Sequence, residues 1–155
     1  GIVLELLRRL PDATPVLGVC LGHQALVLSE GGELEVDAVP MHGKASAVDH
    51  ERTGLFSGID SPMTSGRYHS LQAVRAALPE SLRIAASTED GAVMAVEHRT
   101  LPRFGLQFHP ESILTPRGSE LLARFLELAG VPLQADATAA APVVRKRSTS
   151  AGAAS

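Results

Sequence analysis

Apolar residues recur along this chain with two spacings, one typical of helices and one typical of strands. Helices are predicted near the N-terminus, over residues 21–28, and in the segment that follows residue 114. The first helix has an apolar face and ends at Pro11; this face consists of Ile2, Leu6, Leu7 and Leu10. The last helix is predicted to have Thr115 as its cap and Pro116 at its first position, and to end at Gly130. Its apolar stripe consists of Leu121, Leu122, Phe125, Leu126 and Ala129.

Short apolar runs separated by turn residues predict the strands. These predicted strands cover residues 16–19, 33–39, 44–50, 63–68, 82–87, 93–98 and 104–108. Strands and helices are therefore mixed along the chain. This mixture favours an α/β fold, with a mostly parallel, twisted central sheet and helices on both of its faces.

The composition indicates one folded domain followed by a tail. Of the 155 residues, 45% are hydrophobic and 3% are aromatic, which predicts a core built from aliphatic side chains. From residue 134 onward the chain is rich in Ala, Ser and Thr, with one basic cluster at 145–147. Such a segment buries too little apolar surface to offset its ordering entropy. We therefore expect a domain over 1–133 and a disordered tail over 134–155.

Charge and cysteine content argue against several classes of protein. A net charge of −3 disfavours general nucleic-acid binding, and no apolar run is long enough to span a bilayer. Cys20 is the only cysteine, so no internal disulfide can form, and a reducing, cytoplasmic location is expected. The histidines lack the close helical spacing of zinc ligands, and a lone cysteine cannot complete a cysteine-rich site, so no metal is expected.

The strongest chemical signal surrounds Cys20. Residues 18–24 read Gly-Val-Cys-Leu-Gly-His-Gln and connect a predicted strand to a predicted helix. Glycines two positions to either side permit the sharp turn that exposes a nucleophile between a strand and a helix. The positive end of the helix dipole there favours the thiolate. The alternative interpretation is a small, buried core cysteine.

A candidate base and carboxylate follow the last predicted strand. His109 and Glu111 lie in the segment Phe-His-Pro-Glu-Ser at 108–112. In an extended segment, residues i and i+2 lie on the same side, so Glu111 can hold the His109 ring. Alone, the pair would also fit a surface charge pair. Together with Cys20 it predicts a triad of nucleophile, base and orienting carboxylate.

These two motifs resemble those of the class I glutamine amidotransferases. Two further segments indicate which members of this family the chain resembles most. They are Met-His-Gly-Lys at 41–44 and Arg-Tyr-His-Ser-Leu at 67–71. Both are similar to the glutaminase component of anthranilate synthase and aminodeoxychorismate synthase. The likeness extends from about Gly1 to Gly130 and implies the fold of that family.

The resemblance also implies a reaction. The family hydrolyses glutamine with a Cys-His-Glu triad, which here is Cys20, His109 and Glu111. The ammonia passes to a chorismate-binding synthase subunit or fused domain, for anthranilate or aminodeoxychorismate synthesis. No cofactor is implied for this chain, since magnesium belongs to the partner.

A glutamine pocket follows from the same resemblance. The substrate offers an amide to attack, together with an α-amino and an α-carboxylate group to hold. The backbone N–H of Leu21 would donate to the oxyanion, as the residue after a nucleophile elbow does. The implied glutamine-binding residues are Gln24, Ser70 and Leu71, the last two through their backbone.

One departure from the family leaves alternatives open. Family members carry a preceding stretch that holds the first strands and a glycine-rich loop, which supplies part of the oxyanion hole. This sequence starts without methionine and contains no such loop, so we expect that it lacks the N-terminal portion of its domain. The alternatives are a catalytically impaired synthase-binding module and a stand-alone γ-glutamyl cysteine hydrolase.

Overall fold

The computed structural model describes residues 1–37 and 43–133. The helices are α1 (Ile2–Arg9), α2 (Leu21–Ser29) and α3 (Gly118–Leu128). The strands are β1 (Val16–Val19), β2 (Leu34–Val36), β3 (Lys44–His50), β4 (Met63–Arg67), β5 (Leu71–Ala73), β6 (Leu82–Ser87), β7 (Val93–His98) and β8 (Arg103–Leu106). Three predictions fall wholly or partly outside the described residues: the tail over 134–155, the first two residues of the 41–44 motif, and the end of the strand over 33–39.

The central sheet has six strands in the order β1-β8-β7-β6-β3-β4, and β2 pairs with β5 in a separate two-stranded sheet. Among the described strands, only β1 and β8 pair in parallel, and the other four neighbouring pairs in the central sheet are antiparallel. The α/β class is confirmed, but the expectation of a mostly parallel sheet was wrong for this part of the chain. The links from β6 to β7 and from β7 to β8 are too short for the crossover that parallel strands require.

Two hydrophobic clusters show that helices cover both faces of the central sheet, as expected. On one face, Leu121 of α3 packs with Leu106, Phe108 and Met94. On the other face, Leu26 and Val27 of α2 pack with Val93 and Val96. Along β7, Val93 and Val96 lie in one cluster and Met94 and Ala95 in the other, so the regular alternation of a strand is interrupted where the β6–β7 register shifts. The site described below lies where β1 and β8 end between these two layers.

The first helix is exposed over much of its predicted apolar face. Leu7 is buried, whereas Leu6 is 55% exposed and Ile2 is 86% exposed.

None of the helices in the described segments is long and apolar enough to cross a membrane.

The last helix begins later than the sequence predicted. α3 begins at Gly118, because residues 109–118 form successive tight turns first. Thr115 does not cap the helix; its Oγ1 accepts a hydrogen bond from the Gly66 N–H at 3.2 Å. A Cβ at Gly118 would lie 1.8 Å from the carbonyl oxygen of Pro110. Glycine therefore lets α3 begin directly against the loop that carries the predicted base.

Candidate active site

Cys20 occupies a sharp turn between β1 and α2, as predicted. Its backbone has φ 51° and ψ −101°, a conformation that non-glycine residues adopt only where the surroundings enforce it. The Cys20 N–H donates to the carbonyl of Leu106 at 2.8 Å. A Cβ at Gly18 would lie 2.5 Å from the carbonyl carbon of Gly22, so glycine at position 18 lets α2 approach β1.

The pKa of the Cys20 thiol is raised above its ordinary value. Burial is the largest cause, and the negative charge of Glu111 adds to it. A hydrogen bond with the backbone of Leu21 acts in the opposite direction but is outweighed. The helix N-terminus thus favours the thiolate, as expected, although the net pKa is raised. The raised pKa favours the protonated thiol, so a role as nucleophile would require a base to remove this proton.

His109 and Glu111 form the expected contact. Nδ1 of His109 lies 2.7 Å from Oε1 of Glu111. Partial burial acts to raise the pKa of Glu111, but the hydrogen bond from His109 and a backbone hydrogen bond outweigh it, so this pKa is lowered. The carboxylate is thus ionised and holds one ring nitrogen. This arrangement leaves Nε2 of His109 as the nitrogen available for proton transfer.

The parallel pairing of two strands places the predicted nucleophile and the predicted base at the same edge of the sheet. β1 and β8 are in register from Val16 opposite Arg103 to Val19 opposite Leu106. Their carboxyl ends therefore meet at one edge of the sheet, where Cys20 follows β1 and His109 follows β8 by three residues. Among the described residues no hydrogen bond joins the Cys20 sulfur to the His109 ring, although the charge of Glu111 reaches the thiol. Catalytic hydrogen bonds of this kind commonly tighten only when a substrate is bound.

Two of the residues implied as the glutamine pocket contact each other. Gln24 donates from Nε2 to the carbonyl of Leu71 at 3.1 Å, and also to Oε1 of Gln107 at 3.4 Å. The carbonyl of Ser70 instead accepts from the N–H of Asp37 at 2.8 Å, which attaches this loop to the end of β2. Gln24 is buried in this arrangement.

Tyr68 is a neighbour of the base that the sequence analysis did not select. Its ring lies edge-on to the His109 ring, with 5.7 Å between the ring centroids. Its hydroxyl lies 3.1 Å from Oγ of Ser112. Its position inside the Arg-Tyr-His-Ser-Leu segment was the available signal, because the two residues that end that segment were already assigned to the pocket.

The two other histidines of this region are neutral. Burial lowers the pKa of His23 to about 4, a backbone hydrogen bond at Gly105 opposes this, and His69 lowers it further. Burial also lowers the pKa of His69, and the positive charge of Arg67 adds to the effect.

Comparison with known proteins decides the family. The sequence profile described as glutamine amidotransferase class-I matches residues 1–129. This chain belongs to that family. Over 135 residues it is 47% identical to anthranilate synthase component 2 of Pseudomonas aeruginosa, covering 84% of this chain and 67% of that protein. Over 126 residues it is 46% identical to aminodeoxychorismate synthase component 2 of Klebsiella aerogenes, covering 81% and 67%.

Solved structures agree with this family fold. The crystal structure of a candidate GMP synthase subunit from Thermoplasma acidophilum superimposes with a TM-score of 0.75 at 26% identity. The match covers 83% of this chain and 62% of that one. The chain therefore spans no more than about two thirds of the length of any of these three relatives.

Proposed function

We propose that this chain is the glutaminase component of a chorismate-using synthase: it hydrolyses glutamine and delivers the ammonia to its partner. The observation that carries the proposal is the placement of Cys20 on a strained elbow, at the sheet edge where the His109–Glu111 pair also lies. In a class I glutamine amidotransferase, this placement supports a Cys-His-Glu triad.

The first half of the reaction forms a thioester. His109 takes the thiol proton on Nε2 while the Cys20 sulfur attacks the side-chain amide carbon of glutamine. Glu111 holds Nδ1 and stabilises the charged ring. The C–N bond of the tetrahedral adduct then breaks, and His109 returns its proton to the nitrogen, which leaves as ammonia.

The second half of the reaction regenerates the thiol. Water gives a proton to His109 and attacks the γ-glutamyl thioester, the C–S bond breaks, and the proton returns to the sulfur as glutamate leaves. The Leu21 N–H, at the first position of α2 directly after the nucleophile, is the proposed oxyanion donor. Gln24 and the backbone of Ser70 and Leu71 hold the substrate.

Ammonia then passes to the synthase. The two relatives are component 2 of anthranilate synthase and component 2 of aminodeoxychorismate synthase, at nearly equal identity. This chain performs the same step in either pathway, because the position of amination on the chorismate ring is set in the partner. The partner is a separate subunit or a fused domain.

Substitution of the nucleophile tests this function. In the complete polypeptide assembled with its synthase, Cys20→Ser should abolish glutamine-dependent synthesis and leave ammonia-dependent synthesis intact. A serine hydroxyl is far less acidic than a thiol and stays protonated beside the same base. The measurement is product formation with glutamine and, separately, with ammonium salt. Glutamine-dependent activity within about tenfold of wild type would exclude Cys20 as the nucleophile. A wild-type protein that binds the synthase without hydrolysing glutamine would favour the binding-module alternative.

A further inference from the structure

The Arg67 guanidinium at the end of β4 connects three separate segments. Its side chain is only 3% exposed. One terminal nitrogen lies 3.3 Å from Asp37, which follows β2, and the other lies 3.6 Å from Asp90 in the turn between β6 and β7. Its Nε donates to Nε2 of His69 at 3.4 Å. Buried arginine is stable only when it is paired in this way, so its position is strongly determined.

This contact decides which nitrogen of His69 carries the proton. A guanidinium N–H can only donate, so Nε2 of His69 must be the acceptor. The neutral ring therefore carries its hydrogen on Nδ1, and Nδ1 donates to the carbonyl of Leu71 at 3.1 Å. Arg67 thus directs the His69 N–H towards the backbone of β5.

The backbone carbonyl of Leu71 points away from β2 and towards Gln24 of α2. The bond from the Asp37 N–H to the Ser70 carbonyl makes these two residues a hydrogen-bonded pair of the β2–β5 ladder. The neighbouring pair, Val36 with Leu71, is therefore a non-bonded pair, and the N–H and carbonyl of Leu71 point away from β2. The carbonyl accepts from His69 and from Nε2 of Gln24, which occupies both of its lone pairs.

The Leu71 carbonyl in turn sets the orientation of the Gln24 amide. Both partners of Nε2 are acceptors, the Leu71 carbonyl and Oε1 of Gln107, so the NH₂ group must face them. Within the described residues, Oε1 of Gln24 then has no hydrogen-bond partner. Gln24 lies four residues after Cys20 on the same helix, so this oxygen is an acceptor on the face of α2 that carries the nucleophile.

We infer that Arg67 and His69 are positioning residues of the glutamine pocket, which hold the Leu71 carbonyl and thereby aim the Gln24 acceptor at the substrate. The inference rests on the proposed glutaminase function and assigns a role to two residues outside the triad. Neither residue touches the reacting atoms. Both residues affect the affinity for glutamine, because they fix the orientation of the Leu71 carbonyl and of the Gln24 amide.

Two near-isosteric substitutions at position 69 test this role. His69→Asn keeps an N–H close to the place of Nδ1, whereas His69→Gln places its amide near Nε2 and loses the donation to Leu71. In the complete polypeptide with its synthase, His69→Gln should raise the glutamine KM about tenfold, the size expected for one lost hydrogen bond, with a smaller change in kcat. His69→Asn should keep KM within about threefold of wild type.

A matched control separates positioning from general loss of stability. His98→Gln removes another buried histidine, which lies away from the site. Nε2 of His98 is 3.5 Å from Oε2 of Glu30. This substitution should lower Tm and leave the glutamine KM unchanged. The inference is overturned if His69→Gln leaves KM within about twofold of wild type, or if His98→Gln raises KM equally.

A second measurement needs no variant. In the wild-type protein, the ¹⁵N spectrum of His69 should show the neutral form with its hydrogen on Nδ1 throughout the pH range of activity. A ring protonated on Nε2 would overturn the inference. A wild-type protein without any glutaminase activity would refute the proposed function itself. An active wild type together with an unchanged glutamine KM in His69→Gln would refute the positioning role alone.

Discussion

At the scale of single residues, the proposed reaction depends on moving one proton. Burial raises the pKa of the Cys20 thiol, so the sulfur does not start as a thiolate. The proposed base must therefore be able to accept a proton, and the ionised Glu111 lies 2.7 Å from Nδ1 of His109. Tyr68 packs edge-on against the same ring. The charge of Glu111 and the packing of Tyr68 thus both act on the His109 side chain.

Removal of the base should harm turnover more than removal of the carboxylate charge. We expect His109→Ala to lower kcat with glutamine by about 10²–10⁴-fold, the usual contribution of a positioned base. Glu111→Gln should be milder, because an amide oxygen can still accept the Nδ1 hydrogen bond. Steady-state glutaminase rates give both values, and ammonia-dependent synthesis is the control for an intact partner. A larger loss in Glu111→Gln than in His109→Ala would reverse the assigned roles.

At the scale of elements, the site depends on how closely α2 packs against β1. The two glycines that flank Cys20 are not equivalent. A Cβ at Gly18 would lie 2.5 Å from the backbone of Gly22, whereas a Cβ at Gly22 would meet nothing within 4 Å. The close approach of helix and strand therefore requires glycine only at position 18, and the elbow geometry follows from this approach.

This difference predicts the outcome of two alanine substitutions. Gly18→Ala should push α2 away from β1, lower the free energy of unfolding by about 1–3 kcal/mol and reduce thiol reactivity. Gly22→Ala is the matched control for stability and should unfold at a temperature close to wild type. Thermal unfolding and the rate of Cys20 alkylation are the measurements. Equal stability of the two variants would contradict the packing argument.

At the scale of the whole molecule, buried histidines make the fold sensitive to acid. Burial lowers the pKa of His23, to about 4, and also lowers the pKa values of His50 and His69. The unfolded chain binds these protons more readily, with pKa values of about 6.5. Stability is therefore lost as the pH falls from about 6.5 towards 4. The carboxyls of Asp90 and Glu111, whose pKa values are lowered, contribute stability that is lost only at lower pH.

We expect Tm to fall steadily between pH 6.5 and pH 4, with His23 as a main cause. Its fall in pKa from 6.5 to about 4 corresponds to roughly 3 kcal/mol of lost stability at the acid end of this range. His23→Asn should be less stable at neutral pH and should show a flatter dependence of Tm on pH. Calorimetry across this range tests the point, and an unchanged slope in His23→Asn would show that other groups dominate.

The sequence alone was sufficient for the features that depend on neighbours along the chain. The strands over 16–19, 44–50, 82–87 and 93–98 were predicted with their observed ends, because their apolar patterns are local. The turn at Cys20 was predicted for the same reason. The contact between His109 and Glu111 was also predicted, but from an extended segment, whereas residues 109–112 form a turn. The family resemblance rested on these short motifs.

Only the tertiary structure decided the features that depend on distant residues. It showed that the central sheet is mixed and that residues 71–73 form the unpredicted strand β5. It also showed that His50 stacks on Phe56 and that His98 contacts Glu30. It also decided the protonation of Cys20 and the chain of contacts from Arg67 to Gln24. The physical reason is that strand pairing, burial and hydrogen bonding depend on which segments meet in space. A three-residue strand such as β5 is too short to show a period, and its partner β2 lies far earlier in the chain, with Val36 opposite Leu71.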